Sequence, residues 1–197
     1  MPKNVIYDYE TLGTDTRNAP ILSLAIMNYD PDRFMSENPY TFKELCSRAA
    51  EYKFDIMEQV KSFGKVINKE TLDWWKKQPK ELRDAQLTPT PDDLSITELN
   101  ACFKNHCHQA DAIFTRGNTF DPMITTFTLA DQGLGEPYNW AKVRDTRSFI
   151  EGLSYTSGLN NKFIPEGLED VFVAHDPIHD IAIDVMRMQS VIREVFL

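Results

Sequence analysis

Asp8-Tyr9-Glu10 sets two carboxylates two residues apart, directly behind the β-prone run Val5-Ile6-Tyr7. On a strand, residues i and i+2 share a face, so both acids project side by side while Tyr9 points away. Two anions held that close repel unless a cation lies between them, and carboxylate oxygens suit hard ions such as Mg²⁺ or Mn²⁺. The triplet is equally compatible with an exposed strand end carrying ordinary surface acids. A second acid, Asp121, closes Gly117-Asn118-Thr119-Phe120-Asp121, where it either caps a helix or is held rigidly for a metal. The third segment is Ala174-His175-Asp176-Pro177-Ile178-His179-Asp180. Pro177 fits the start of a helix, which leaves His175 in the preceding loop and Asp180 on the first turn. Such a pair can set a base and a metal ligand around one point, or form a plain polar helix start.

These residues need elements to hold them. Val5-Ile6-Tyr7 reads as a buried first strand, and Ile21 to Tyr29, opened by Pro20, as a longer second one. Asp30-Pro31-Asp32 is a turn, and Phe42 to Cys46 is predicted as a third strand, giving the sheet an antiparallel start. Beyond it, Leu72 and Trp75 fall at helical period within Glu70 to Gln78, with Pro79 ending or restarting the helix. Ser95-Ile96-Thr97-Glu98 is a capping box ahead of Leu99, Cys102 and Phe103. Ala112 to Thr115 is a short strand, a helix begins near Asp121, and Val143 marks one more short strand. Ile178, Ile181, Ala182, Val185, Ile192 and Val195 lie on or near one stripe of a terminal helix. Strands first, then alternating helix and strand, predict an α/β fold with a mixed sheet flanked by helices.

Bulk properties narrow the function. At 197 residues the chain is expected to be a single domain, 1–197, and its net charge is −9. A protein that coats nucleic acid by long-range attraction usually carries a basic surplus, so the charge argues against that class and leaves open a protein that grips only a strand end. The apolar run Ala19 to Met27 is too short to span a bilayer, and Asp8 follows too soon after Lys3 for a secretory signal. Three cysteines form no even disulfide framework, which points to a reduced, cytoplasmic setting.

Taken together, the order D-x-E, then D, then H-x4-D resembles the DEDDh branch of the 3′→5′ exonucleases. The likeness runs through nearly the whole chain and is tightened by Asp8-Tyr9-Glu10-Thr11-Leu12-Gly13, Thr71-Leu72-Asp73-Trp74-Trp75-Lys76-Lys77-Gln78 and Phe172 to Asp180. Within that branch these segments are similar to a DNA-degrading phage enzyme. The resemblance implies an RNase H-like fold and a phosphodiester hydrolase that uses two metal ions, Mg²⁺ or Mn²⁺. It implies that Asp8 bridges both ions, that Glu10 and Asp180 are further ligands, that Asp121 acts through a water, and that His175 is the general base. It also implies single-stranded DNA with a free 3′-hydroxyl as substrate and 5′-mononucleotides as product. RNA is the alternative polymer, because the five site residues serve either sugar. A non-catalytic nucleic-acid-binding module is the alternative of another class.

His179 and Asp184 repeat the H-x4-D spacing. Within a helix they lie about 140° apart, so the His175/Asp180 register is the one expected to converge. The resemblance implies that Thr11 and Leu12 seat the terminal nucleotide, with packing at the strand end as the alternative. Trp74 and Trp75 are neighbours and cannot share a helix face, so one is expected in the core and the other is free to stack on a base. Cys102, His106, Cys107 and His108 lack a second ligand pair and read as helix packing rather than zinc. Lys65, Lys69, Lys76, Lys77 and Lys80 form a solvated face or supply phosphate contacts.

Overall fold

The computed structural model describes residues 3–155 and 158–197. Its centre is a five-stranded mixed sheet: β1 (Asn4–Thr11), β2 (Ile21–Tyr29), β3 (Ala50–Lys53), β4 (Ala112–Thr115) and β5 (Val143–Asp145), in the order β3-β2-β1-β4-β5. The first three strands pair antiparallel, while β4 and β5 run parallel to β1. Eight α-helices pack around it: α1 (Phe42–Arg48), α2 (Ile56–Phe63), α3 (Lys69–Trp75), α4 (Lys80–Leu87), α5 (Leu99–Cys107), α6 (Asp121–Asp131), α7 (Thr146–Ser154) and α8 (Pro177–Phe196). This is the α/β, RNase H-like architecture expected. No helix among the described residues is long and apolar enough to cross a membrane.

The pleat of β1 divides the interior. Val5, Tyr7 and Tyr9 face Leu99 and Phe103 of α5 and Ile124 and Leu129 of α6. Ile6, with Ala25 and Met27 of β2, faces α1, α7 and the long α8. Alternation continues this second face into Asp8 and Glu10, so the acids emerge on the side of the sheet that α8 covers.

One predicted element is corrected. Phe42 to Cys46 is the body of helix α1, and the third strand follows it at Ala50–Lys53. Thr41 caps α1 by accepting from the Glu44 amide, Arg48 pairs with Glu44 one turn apart, and Phe42 and Leu45 turn together into the α8 face. A short run containing two apolar residues three apart fits either period until the cap is weighed. Helices α2 and α7 carried no expectation. Both open on aspartate caps, Asp55 and Asp145, whose side chains accept from Glu58 and Ser148. The Ser95/Glu98 capping box forms as read, on a short 3₁₀ turn that leads into α5.

Candidate active site

Asp8 and Glu10 stand near the end of β1, where pairing with β4 has stopped at Ile6 and Phe114. Past that point the sheet opens, and the Tyr9 amide donates at 3.3 Å to Oδ1 of Asp121. Asp121 begins α6, followed by Pro122, and its backbone carbonyl accepts from the Thr125 hydroxyl. The Tyr9 hydroxyl lies 3.0 Å from the same Thr125 oxygen. The core side of β1 therefore fixes the helix that carries the third acid.

The fourth acid and the histidine arrive with α8. Asp176 caps that helix by accepting from the His179 amide, and Pro177 occupies its first turn. His175 precedes the cap with φ of 66°, a left-handed conformation uncommon for a side chain other than glycine. That backbone directs the His175 amide onto Oδ2 of Asp180 at 2.9 Å. One potential ligand atom from each of Glu10, His175 and Asp180 lies within 4.8 Å of the others. The His175 ring also meets the Trp74 ring edge-on, with centroids 4.7 Å apart.

The second histidine register is diverted elsewhere. His179 accepts from the Val173 amide at 3.0 Å and packs on Phe42, which fixes the loop entering α8. Asp184 is 1% exposed and already saturated by Arg116, Arg187 and the Thr146 hydroxyl at 2.6, 2.7 and 2.5 Å.

Electrostatics distinguishes this cluster from surface acids. Burial, then repulsion from Asp121, Glu10, Asp180 and Asp184, raises Asp8 well above the usual carboxylate range. Glu10 is raised for the same reasons, with Asp180 its strongest neighbour. Burial lifts Asp121 to about 7 against the Tyr9 amide, and lifts Asp180 to about 7 against the His175 amide. Burial lowers the His175 imidazole, which keeps it neutral near pH 7. Four crowded carboxyls held above their ordinary pKa, all hard oxygen donors, fit a divalent cation.

Not every expected contact reaches the cleft. Thr11 and Trp74 line a recess beside the acids. Leu12 is 3% exposed and packs with Leu22, Trp75 and Leu82, so its side chain is placed in the interior rather than against a base. Trp75 is 1% exposed and its indole N–H donates to the Thr11 carbonyl, which turns that ring inward and ties α3 to the end of β1. The lysine face also divides: Lys65 is buried against Asp131 and the Arg17 carbonyl, Lys76 pairs with Asp73, and Lys80 with Asp84. Cys102 and Cys107 lie in the core, and His106 bonds Asn28. Sequence reasoning passed over Arg116, Arg147, Lys162 and Arg187, which line the same cleft as the acids. Their signal was faint, because basic residues scattered between positions 116 and 187 form no run.

Solved structures share this fold. Exonuclease I of Methylocaldum szegediense superposes with a TM-score of 0.59 at 19% identity over 97% of the chain. Exonuclease I of E. coli in complex with a dT13 oligonucleotide gives 0.58 at 14% identity over 99%. The chain spans 40% and 41% of the length of those two proteins. The class of enzyme is shown by two sequence comparisons, which identify a 3′→5′ exonuclease. The sequence model of the 3′-5′ exoribonuclease Rv2179c-like domain matches residues 3–192. The exodeoxyribonuclease of Enterobacteria phage T4 is 32% identical over 207 residues, covering 95% of this chain and 88% of that protein. The chain belongs to the Rv2179c-like family of 3′-5′ exonucleases.

Proposed function

We propose that this enzyme is a metal-dependent exodeoxyribonuclease that degrades single-stranded DNA from a free 3′-hydroxyl to 5′-mononucleotides. The observation that carries the reading is the meeting of Glu10, His175 and Asp180 within 4.8 Å. Asp8, Glu10 and Asp180 would hold two Mg²⁺ or Mn²⁺ ions, and Asp121 would be the further acid of that site. Bound there, such ions stabilise charge on the attacking and leaving oxygens of an in-line displacement. His175, neutral because burial lowers its pKa, accepts the proton of the attacking water. The water oxygen bonds to phosphorus as the P–O3′ bond breaks, the released O3′ takes up a proton to give the retained strand a new 3′-hydroxyl, and the terminal nucleotide departs with a 5′-phosphate. Trp74 offers an exposed aromatic ring to the terminal base, and Thr11 borders the same recess.

DNA is favoured because the relative aligned along 95% of the chain is an exodeoxyribonuclease. The family description names an exoribonuclease, which supports RNA as the second reading. Matched degradation of 3′-hydroxyl single-stranded DNA, duplex DNA and RNA in Mg²⁺ or Mn²⁺ separates them. Faster loss of RNA overturns the DNA assignment, and efficient cutting of circular single strands overturns the exonuclease reading.

A further inference from the structure

The acids lie where two depressions meet, with Glu10, Phe120 and His175 lining both. The smaller, about 350 Å³, is bounded by Thr11, Thr14, Glu70, Thr71 and Trp74 and has no lysine or arginine in its wall. The larger, about 530 Å³, carries Arg116, Arg147, Lys162 and Arg187. A strand being shortened from its 3′ end has this same asymmetry. Beyond the scissile phosphate lies one nucleoside, a base and a sugar with no further charge. On the other side each nucleotide adds a phosphate. An aromatic recess without cations matches the departing nucleoside, and the cationic depression matches the retained strand.

The four cations are not equivalent. Arg116 and Arg187 share Asp184, and both also hold backbone carbonyls of the 161–163 segment. Their donors are committed within the fold, and Asp184 offsets one of their two charges. Arg147, exposed on the first turn of α7, makes no hydrogen bond or ion pair among the described residues. Its guanidinium lies over Gly117, where φ is +117° and a Cβ would stand 3.5 Å from Nη1. Glycine there permits the backbone turn and leaves the guanidinium beside the chain that leads to Asp121. A planar fork with unused donors, anchored next to the acids in a chain of net charge −9, is a phosphate ligand supplied locally.

We propose that Arg147 grips the phosphodiester immediately 5′ of the scissile one, on the strand that stays bound, and so helps set the direction in which DNA enters. The proposal rests on the nuclease reading above, and the two can fail separately. Binding of a short 5′-labelled oligothymidylate is followed by fluorescence anisotropy in EDTA, and its cleavage by steady-state kinetics in Mg²⁺. Arg147→Ala is expected to weaken binding roughly tenfold, the worth of one charged hydrogen bond. It should also flatten the slope of log affinity against log salt by about 0.7, the loss of one phosphate contact on a single strand. A methylphosphonate at the second linkage from the 3′ end should weaken wild-type binding yet leave Arg147→Ala unaffected. Arg144→Ala, whose guanidinium bonds backbone carbonyls of Ala141 and Val143, serves as the control and should bind like wild type. Wild-type affinity and salt slope in Arg147→Ala overturn the contact, and coupling to a different linkage overturns its placement. If the binding defect is present but wild type leaves the 3′ end intact, the contact stands and the nuclease reading falls.

Discussion

Asp8, Glu10, Asp121 and Asp180 are each held above the ordinary carboxylate pKa, and this links chemistry to stability with a definite sign. Asp121 and Asp180, raised to about 7, stabilise the metal-free fold in full below their unfolded values near 3.8 and lose that contribution as pH rises through 7. The melting temperature without metal should therefore fall between pH 5 and pH 8. Asp8→Asn removes one source of repulsion, so its metal-free melting point should rise while cleavage is abolished. Rapid cleavage by purified Asp8→Asn would sink the role given to Asp8. The two histidines supply a paired comparison by single-turnover kinetics. His175→Ala should lower kcat by roughly 10²–10⁴-fold with metal affinity kept, because a positioned base is lost. His179→Ala removes the acceptor of the Val173 amide and the contact with Phe42, so it should lower stability far more than rate. Because burial lowers the His175 pKa, the acid limb of the rate profile should lie below pH 6.5.

The elements that deliver these residues are themselves tied together by buried polar contacts. Helix α8 carries Asp180 into the site and Asp184 into a closed network with Arg116, Arg187 and Thr146. The two arginines reach on to the 161–163 segment, so the network pins the chain that returns from α7 toward His175. Asp184→Ala would leave two guanidinium groups without their counter-ion. The expected loss is about 3–5 kcal/mol of unfolding free energy, the usual consequence of breaking a buried pair, measured by urea denaturation. A loss below about 1 kcal/mol would mean that the arginines find other partners. Helix α3 works in the same way from the other side. Trp75 ties it to Thr11, and that bond leaves the adjacent Trp74 free to meet His175.

Across the whole molecule, an acidic protein has to admit a polyanion, and local features rather than net charge must allow it. On the proposed function divalent ions would offset the four carboxylates, so Mg²⁺ should raise the melting temperature, and by more at pH 8 than at pH 6. Differential scanning fluorimetry with Mg²⁺ at the two pH values reads this directly, and an equal shift at both would contradict a titrating ligand cluster. The sequence by itself picked out the acids and the histidine that the structure brings together in the candidate site. D-x-E on a strand, an acid at a helix start and H-x4-D around Pro177 are local patterns, and strand and helix geometry orient them without knowledge of the rest. It determined β2, β4 and α8 as well, because their apolar periods are unambiguous. Phe42 to Cys46 defied that reading, since a few apolar residues satisfy either period, and the Thr41 cap together with packing against α8 makes them a helix. Tertiary structure alone decided which tryptophan is core, that Leu12 is buried, that Lys65 is consumed by Asp131, and that Arg147 stands unpaired beside Asp121. Those outcomes depend on which distant groups meet across the sheet, and no local period encodes such a meeting.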